Sequence, residues 1–140
     1  MEQLVIHGGA GSLEGKTTEA QKMHDSLCKI WEETFEVLQK RSAEDAVRHA
    51  VRMLEDDPVY NAGTGSKLQA DGQIRMSAAL MDGTNNRFSG VINVQNIKNP
   101  IEAAALLSGE KHSILSSTQA TEFCRTKGIP EYNPETEFRL

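Results

Sequence analysis

"SKLQADGQIRMSAALMDGTNNRFSGVINVQNI", residues 66–97, decides the fold. Asp71-Gly72 is a pair favoured in two-residue hairpin turns, whose backbone needs positive φ. Its flanks read as strands over residues 66–70 and 73–81. Asp82-Gly83-Thr84-Asn85-Asn86 makes a second, longer turn into a strand over residues 87–97. The expected product is a meander of adjacent antiparallel strands. A phosphate-loop nucleotidase needs parallel strands joined by helical crossovers, so this stretch argues against one.

Helices flank the meander on both sides. Over residues 17–40, Met23, Leu27, Ile30, Thr34 and Val37 recur at helical spacing, and Trp31, Phe35 and Leu38 widen the stripe. Lys29, Glu32, Glu33 and Glu36 form its solvated face, and Trp31 and Phe35 read as packing residues. Ser42 reads as an N-cap, with Glu44 and Asp45 in the first turn where the helix dipole favours acid. Ala43, Val47, Ala50 and Leu54 are the expected buried stripe of this second helix. It should stop near Asp56, because Pro58 disfavours helical geometry at Asp57. Beyond the meander, Asn99-Pro100 opens a third helix that Gly109 closes. Residues 112–115 read as a strand, and residues 117–127 as a helix with Gly128 as its left-handed cap. At the other end, residues 3–6 read as a short strand and residues 10–16 as a loop.

The chain has 140 residues, 38% hydrophobic and 25% charged, which suits one globular domain or part of one. Residues 1–130 are expected to form the folded body and residues 131–140, polar with Pro134, a flexible tail. The net charge of −5 argues against nucleic acid or an anionic membrane as partner, and the longest basic run is only Lys40-Arg41. With no apolar run long enough to span a bilayer, a soluble cytoplasmic protein is expected. Cys28 and Cys124 lie far apart without a C-x-x-C, and read as idle thiols.

Two glycine-rich stretches carry the chemical signal. In "LVIHGGAGSLEGKTT", residues 4–18, Gly15-Lys16-Thr17 imitates the end of a phosphate loop. The opening glycine should then stand at position 10, which is Ala10. The dinucleotide pattern begins with Gly9 and Gly11 but meets Glu14 where its third glycine belongs. Both nucleotide readings are weak, and a nucleotide-binding protein resting on Gly15-Lys16-Thr17 is kept as a minor alternative. In "LEDDPVYNAGTGSKL", residues 54–68, a helix ends and leaves carbonyls without internal partners. A bent loop of this kind can converge carbonyl oxygens on one hard cation. From the residues alone, an acidic helix end and a turn explain it more simply. Of the four histidines, His24, His49 and His112 lack metal-pair spacing, whereas His7 sits where a strand end meets a loop. No G-x-S-x-G elbow is present, and no Ser, Thr or Cys stands out as an activated nucleophile.

Read together, His7-Gly8-Gly9-Ala10-Gly11, the run from Leu54 to Gly65, Met81-Asp82-Gly83 and Asn99-Pro100 resemble the N-terminal half of the plant-type asparaginases, or isoaspartyl peptidases. That resemblance implies an α+β fold, a four-layer αββα sandwich of the N-terminal-nucleophile hydrolase type, to which this chain supplies one half. It implies a precursor that cleaves itself, with the nucleophilic threonine starting the downstream β chain. This chain is then the α subunit of an enzyme acting on β-aspartyl peptides and L-asparagine, in an (αβ)2 assembly. Asn61 corresponds to the asparagine that orients the nucleophile, and His7, Gly8 and Gly9 to the loop behind it. The backbone carbonyls of Leu54, Glu55, Asp57, Tyr60, Ala62 and Thr64 correspond to a structural sodium site. No catalytic cofactor is implied. One departure stands out: where the family usually reads Met-Asp-Ala, this chain reads Met76-Ser77-Ala78. The alternative is a catalytically silent homologue or binding domain of the same fold.

Overall fold

A computed structural model describes residues 1–11 and 16–137. The order is α1 (Thr17–Lys40), α2 (Ala43–Asp56), β1 (Met76–Asp82), β2 (Arg87–Val94), α3 (Pro100–Leu107), β3 (Ile114–Ser116) and α4 (Ser117–Thr126). The fold is α+β, with four helices and one three-stranded sheet among the described residues. The expected loop over residues 10–16 falls partly, at residues 12–15, outside the described residues, as do the last three positions of the expected tail.

Helices α1 and α2 form for the reasons their sequences give. Ile30 and Thr34 are buried on α1, flanked by partly buried Met23 and Leu27. Trp31 stacks on Phe35 at 5.0 Å, and its Nε1 donates to the Leu4 carbonyl at 3.2 Å, so it pins the N-terminal segment. Ser42 caps α2 by accepting from the Asp45 N–H at 3.1 Å, and the helix stops at Asp56. Its buried stripe differs from the expected one. Ala46 and Ala50 are buried, while Ala43 and Val47 are exposed. The cause is that α2 is gripped from two sides. Ala50, Met53 and Leu54 face α1 and Tyr60, while Val51 packs beside Leu80, Ile101 and Ala104.

In the sheet, β1 pairs antiparallel with β2, Leu80 opposite Ser89 and Asp82 opposite Arg87, across the turn that the sequence marks. A bulge lies between Met76 and Ala78, where the Ser77 hydroxyl accepts from the Asn93 N–H at 3.2 Å. β3 runs parallel to β2, Gly90 opposite Ile114, and α3 supplies the crossover that a parallel pair requires. β2 ends at Val94, short of the expected Ile97; beyond it Asn96 takes positive φ, +54°, which is not strand geometry.

Two expected strands are absent among the described residues. The turn at Asp71-Gly72 forms, with φ of +75° at Gly72 and its N–H on the Gln69 carbonyl. Residues 66–70 are nevertheless not a strand, because their donors are used elsewhere: Ser66 N–H goes to the Gly63 carbonyl and Lys67 N–H to Asn61 Oδ1. Residues 3–6 have no described strand beside them, so no ladder can form.

The main core lies between the sheet's inner face and α3 and α4, where Val91, Val94, Ile97, Ala103, Leu107, Ala120 and Cys124 are fully buried. Ser89 is buried with them and donates to the Ala104 carbonyl at 2.7 Å, tying sheet to α3. Gly128 closes α4 at φ +80°. Residues 131–137 lie against this body: Tyr132 N–H reaches the Asn96 carbonyl at 3.0 Å, and Pro134 is fully buried. The opposite sheet face is uncovered and apolar, with Met81, Phe88, Ile92 and Ile114 all about half exposed. No described helix is long and apolar enough to cross a membrane.

Leu107→Ala should destabilise the full-length protein by about 2–5 kcal/mol in urea denaturation, because the methyl groups leave a closed core. Ser42→Ala, which removes only a cap bond, should cost about 1 kcal/mol in the same measurement.

Candidate functional site

The two glycine stretches meet in space. Gly9 has φ +123°, a region in which side chains are strained. A Cβ on Gly8 would lie 3.0 Å from Tyr60 Cε1 and 3.2 Å from Leu27 Cδ1, so the Gly8 backbone is pressed against the Tyr60 ring. Tyr60 is buried, and its hydroxyl donates to the Met23 carbonyl at 3.1 Å. Burial raises the Tyr60 pKa above its ordinary value. The residue after it is Asn61. Contact with Tyr60 therefore brings His7, Gly8 and Gly9 to the loop that carries Asn61. His7 Nδ1 accepts from the Gly9 N–H at 3.2 Å, which fixes the bend of that segment.

Asn61 lines a cleft of about 300 Å³ together with Ser66, Lys67, Arg75 and Ser77. Its Oδ1 accepts from the Lys67 N–H at 2.8 Å. That bond orients the planar amide, because the oxygen must face Lys67 and the NH2 group is left to donate. Arg75 is held back by a fork of bonds to Asp71 at 2.8 and 3.1 Å and by Gln69 at 2.7 Å. Lys67 has no acid partner among the described residues, so the cleft is locally cationic.

The loop from Leu54 to Gly65 is shaped around carbonyls. Gly63 has φ +50°, and a Cβ there would sit 2.2 Å from the Glu55 carbonyl oxygen. At Gly65 a Cβ would sit 2.4 Å from the Tyr60 carbonyl oxygen and 2.7 Å from that of Pro58. The chain thus folds so tightly that carbonyl oxygens replace side-chain volume. The Glu55 carbonyl accepts from Thr64 N–H at 2.8 Å and that of Asp57 from Tyr60 N–H at 3.2 Å, each keeping a second lone pair. Of the six expected carbonyl donors, that of Glu55 is crowded against Gly63 and that of Tyr60 against Gly65, and that of Asp57 accepts from Tyr60 N–H; Leu54, Ala62 and Thr64 lie in the same stretch of chain. Oxygen-only donors suit a hard cation. No cluster of three or more metal-ligating side chains occurs among the described residues, so a cation here would rest on backbone.

Sequence reasoning missed what suspends this loop. The Glu55 side chain is buried, and its Oε1 accepts from the Ile101 N–H at 3.0 Å. It thereby caps the start of α3 from the end of α2. Asn99, the formal cap, gives its amide instead to Asp56 at 2.9 Å. Burial is the main reason that the Glu55 pKa is pushed up to about 8. The carboxyl is therefore mostly protonated at neutral pH, the form that burial favours. Asp57 is held by the Ser26 hydroxyl at 2.6 Å and itself accepts from the Val59 N–H at 3.0 Å. Proline at position 100 hinted at an N–H needing a foreign cap at Ile101, but nothing local pointed to Glu55.

The family described as Asparaginase matches residues 1–139. An isoaspartyl peptidase/L-asparaginase of Nostoc sp. is 49% identical over 99% of this chain and 44% of its own length. One of the same description from Synechocystis sp. is 47% identical over 99% of this chain and 42% of its own length. A plant-type L-asparaginase of Pyrococcus horikoshii is 38% identical over 100% of this chain and 46% of its own length. The chain thus spans less than half the length of these relatives.

Gly63→Ala and Gly72→Ala test the carbonyl loop against a simple turn. Both glycines have positive φ, but a Cβ at Gly72 meets open space. Gly72→Ala should cost about 1–2 kcal/mol of stability, the strain of left-handed backbone alone. Gly63→Ala should cost clearly more by urea denaturation, since the Glu55 backbone must also move.

Proposed function

Since the chain belongs to the asparaginase family, we propose that it is the α-chain part of a self-cleaving amidohydrolase acting on β-aspartyl peptides and L-asparagine. The nucleophile is a threonine that begins the β chain released from the same precursor. Its hydroxyl attacks the substrate's side-chain carbonyl, and its own α-amino group takes the proton. As the C–N bond breaks, that proton passes to the leaving group, which departs as ammonia from asparagine or as the free amine of the β-aspartyl peptide. Water then hydrolyses the acyl-enzyme ester, releasing aspartate and restoring the threonine hydroxyl.

In this reading the present residues position and stabilise. The observation that supports it is the bonding of Asn61, a residue of the cleft lining: its oxygen is occupied by the Lys67 N–H, which leaves the NH2 group to act as a donor. Such a fixed donor suits a threonine hydroxyl or a developing oxyanion. The His7-Gly8-Gly9 segment, bare of side-chain bulk at Gly8 and Gly9, forms the wall behind the threonine. The carbonyls of Leu54, Glu55, Asp57, Tyr60, Ala62 and Thr64 would hold a sodium ion. Bound there, the ion's charge would stiffen the loop that carries Asn61.

The same proposal makes the fold one half of an αββα sandwich. The uncovered apolar face of β1, β2 and β3 supports it, because a sheet of this kind is stabilised by a second sheet packed on it at about 10 Å. The β chain would supply that second sheet, and two αβ units would assemble as (αβ)2. The substrate's α-carboxylate would be held by an arginine of the β chain, suited to bidentate contact.

The test is Asn61→Ala in the full-length precursor. Assembly should survive, and β-aspartyl dipeptide turnover should fall by about 100-fold or more, chiefly in kcat, as for loss of a positioned oxyanion donor. Turnover within about twofold of the parent would remove Asn61 from the site.

A further inference from the structure

A separate cavity of about 390 Å³ lies where the end of α1, the length of α2 and the start of α3 meet. It is lined by Arg41, Asp45, Arg48, His49, Arg52 and Glu102, and shares no lining residue with the Asn61 cleft. Asp45, Arg48 and Arg52 follow helical spacing on α2, and Arg41 stands just before that helix, at the end of α1. The cavity is thus lined by three guanidiniums and two carboxylates. Both carboxylates are already engaged: Glu102 accepts from Arg48 Nη2 at 2.6 Å, and Asp45 from the Ser42 hydroxyl at 2.9 Å.

What remains is a set of buried nitrogens without partners, of which Arg48 Nε is a donor in every protonation state. Arg48 Nε and His49 Nε2 are buried and have no hydrogen-bond partner. A buried donor in that state is costly, and protein chains rarely leave one unless something else satisfies it. Arg41 and Arg52 are exposed at the rim of the same cavity, with no ion-pair partner among the described residues. Guanidinium groups present paired N–H donors that match the oxygens of a tetrahedral or planar oxyanion. We infer that this cavity binds a phosphate-class oxyanion, free or as a monoester, between Arg48 and His49 with Arg41 and Arg52 closing over it. Nothing in the proposed hydrolysis uses these residues, so the site is separate from turnover.

The probe is inorganic phosphate, titrated calorimetrically into the full-length protein at constant ionic strength set with chloride. Saturable binding is expected for the parent, and it should weaken about tenfold or more in Arg41→Gln and Arg52→Gln, each of which loses a charge-assisted contact. Lys111→Gln, which changes an exposed cation outside the cavity, should bind as the parent does. Glycerol 2-phosphate forms a parallel arm: tighter binding than phosphate identifies an ester as the ligand, and equal or weaker binding identifies the free ion. No saturable heat in the parent, or parent-like binding in both arginine variants, would overturn the inference and leave water as the occupant of the cavity.

Discussion

The fold is organised around one buried carboxyl. Glu55 stands at the last turn of α2, and its side chain caps α3 while its own carbonyl receives the Thr64 N–H. One residue thus joins two helices that are far apart in sequence and also closes the loop that follows. Gly63 can approach only because it has no Cβ to strike that same carbonyl. A charged carboxylate in this position would face a desolvation cost that outweighs the Ile101 N–H and the Asn99 amide, so burial favours the neutral form. The orientation of Asn61 is a downstream consequence. Its amide can be fixed by Lys67 only if residues 61–67 curl tightly, and that curl begins at Glu55.

The sheet tells a complementary story about incompleteness. One face is closed by α3 and α4 with fully buried aliphatic side chains, and the other shows Met81, Phe88, Ile92 and Ile114 to solvent. A contiguous apolar face of that kind marks a surface made for contact. Residues 3–6, where only the Leu4 carbonyl has a described hydrogen bond, from Trp31 Nε1, form no ladder among the described residues. Both features fit a chain that spans less than half the length of its relatives.

Much of the local structure was legible because its causes are local. Ser42, Pro100 and Gly128 mark helix ends through the hydrogen-bonding and φ demands of the first and last turns, and each does so here. Turn chemistry at Asp71-Gly72 was equally readable, yet it did not predict a ladder. Whether residues 66–70 pair as a strand depends on where their N–H groups go, and Asn61 and Gly63 claim two of them. The stripe of α2 was misread for a related reason. Periodicity gives a helix's buried arc only when one neighbour covers it, and α2 has two, so Ala46 is buried and Val47 is not. For the candidate site, the glycine motifs were visible in the sequence. The Gly8–Tyr60 contact that joins them and the bond from Ile101 to Glu55 are long-range, and no spacing rule reaches them.

Ser77 in place of an expected aspartate invites the idea of a silent homologue, and the local chemistry argues the other way. Position 77 sits in a β-bulge, where its side chain accepts the Asn93 N–H. A carboxylate or a hydroxyl can fill that acceptor role, so the bulge keeps its shape with serine. The side chain also borders the Asn61 cleft, beside Lys67 and Arg75. Serine there leaves the cleft without a further negative charge beside Lys67 and Arg75. The substitution therefore changes the electrostatics of the approach to Asn61 without disturbing the strand that borders it, and loss of activity does not follow from it.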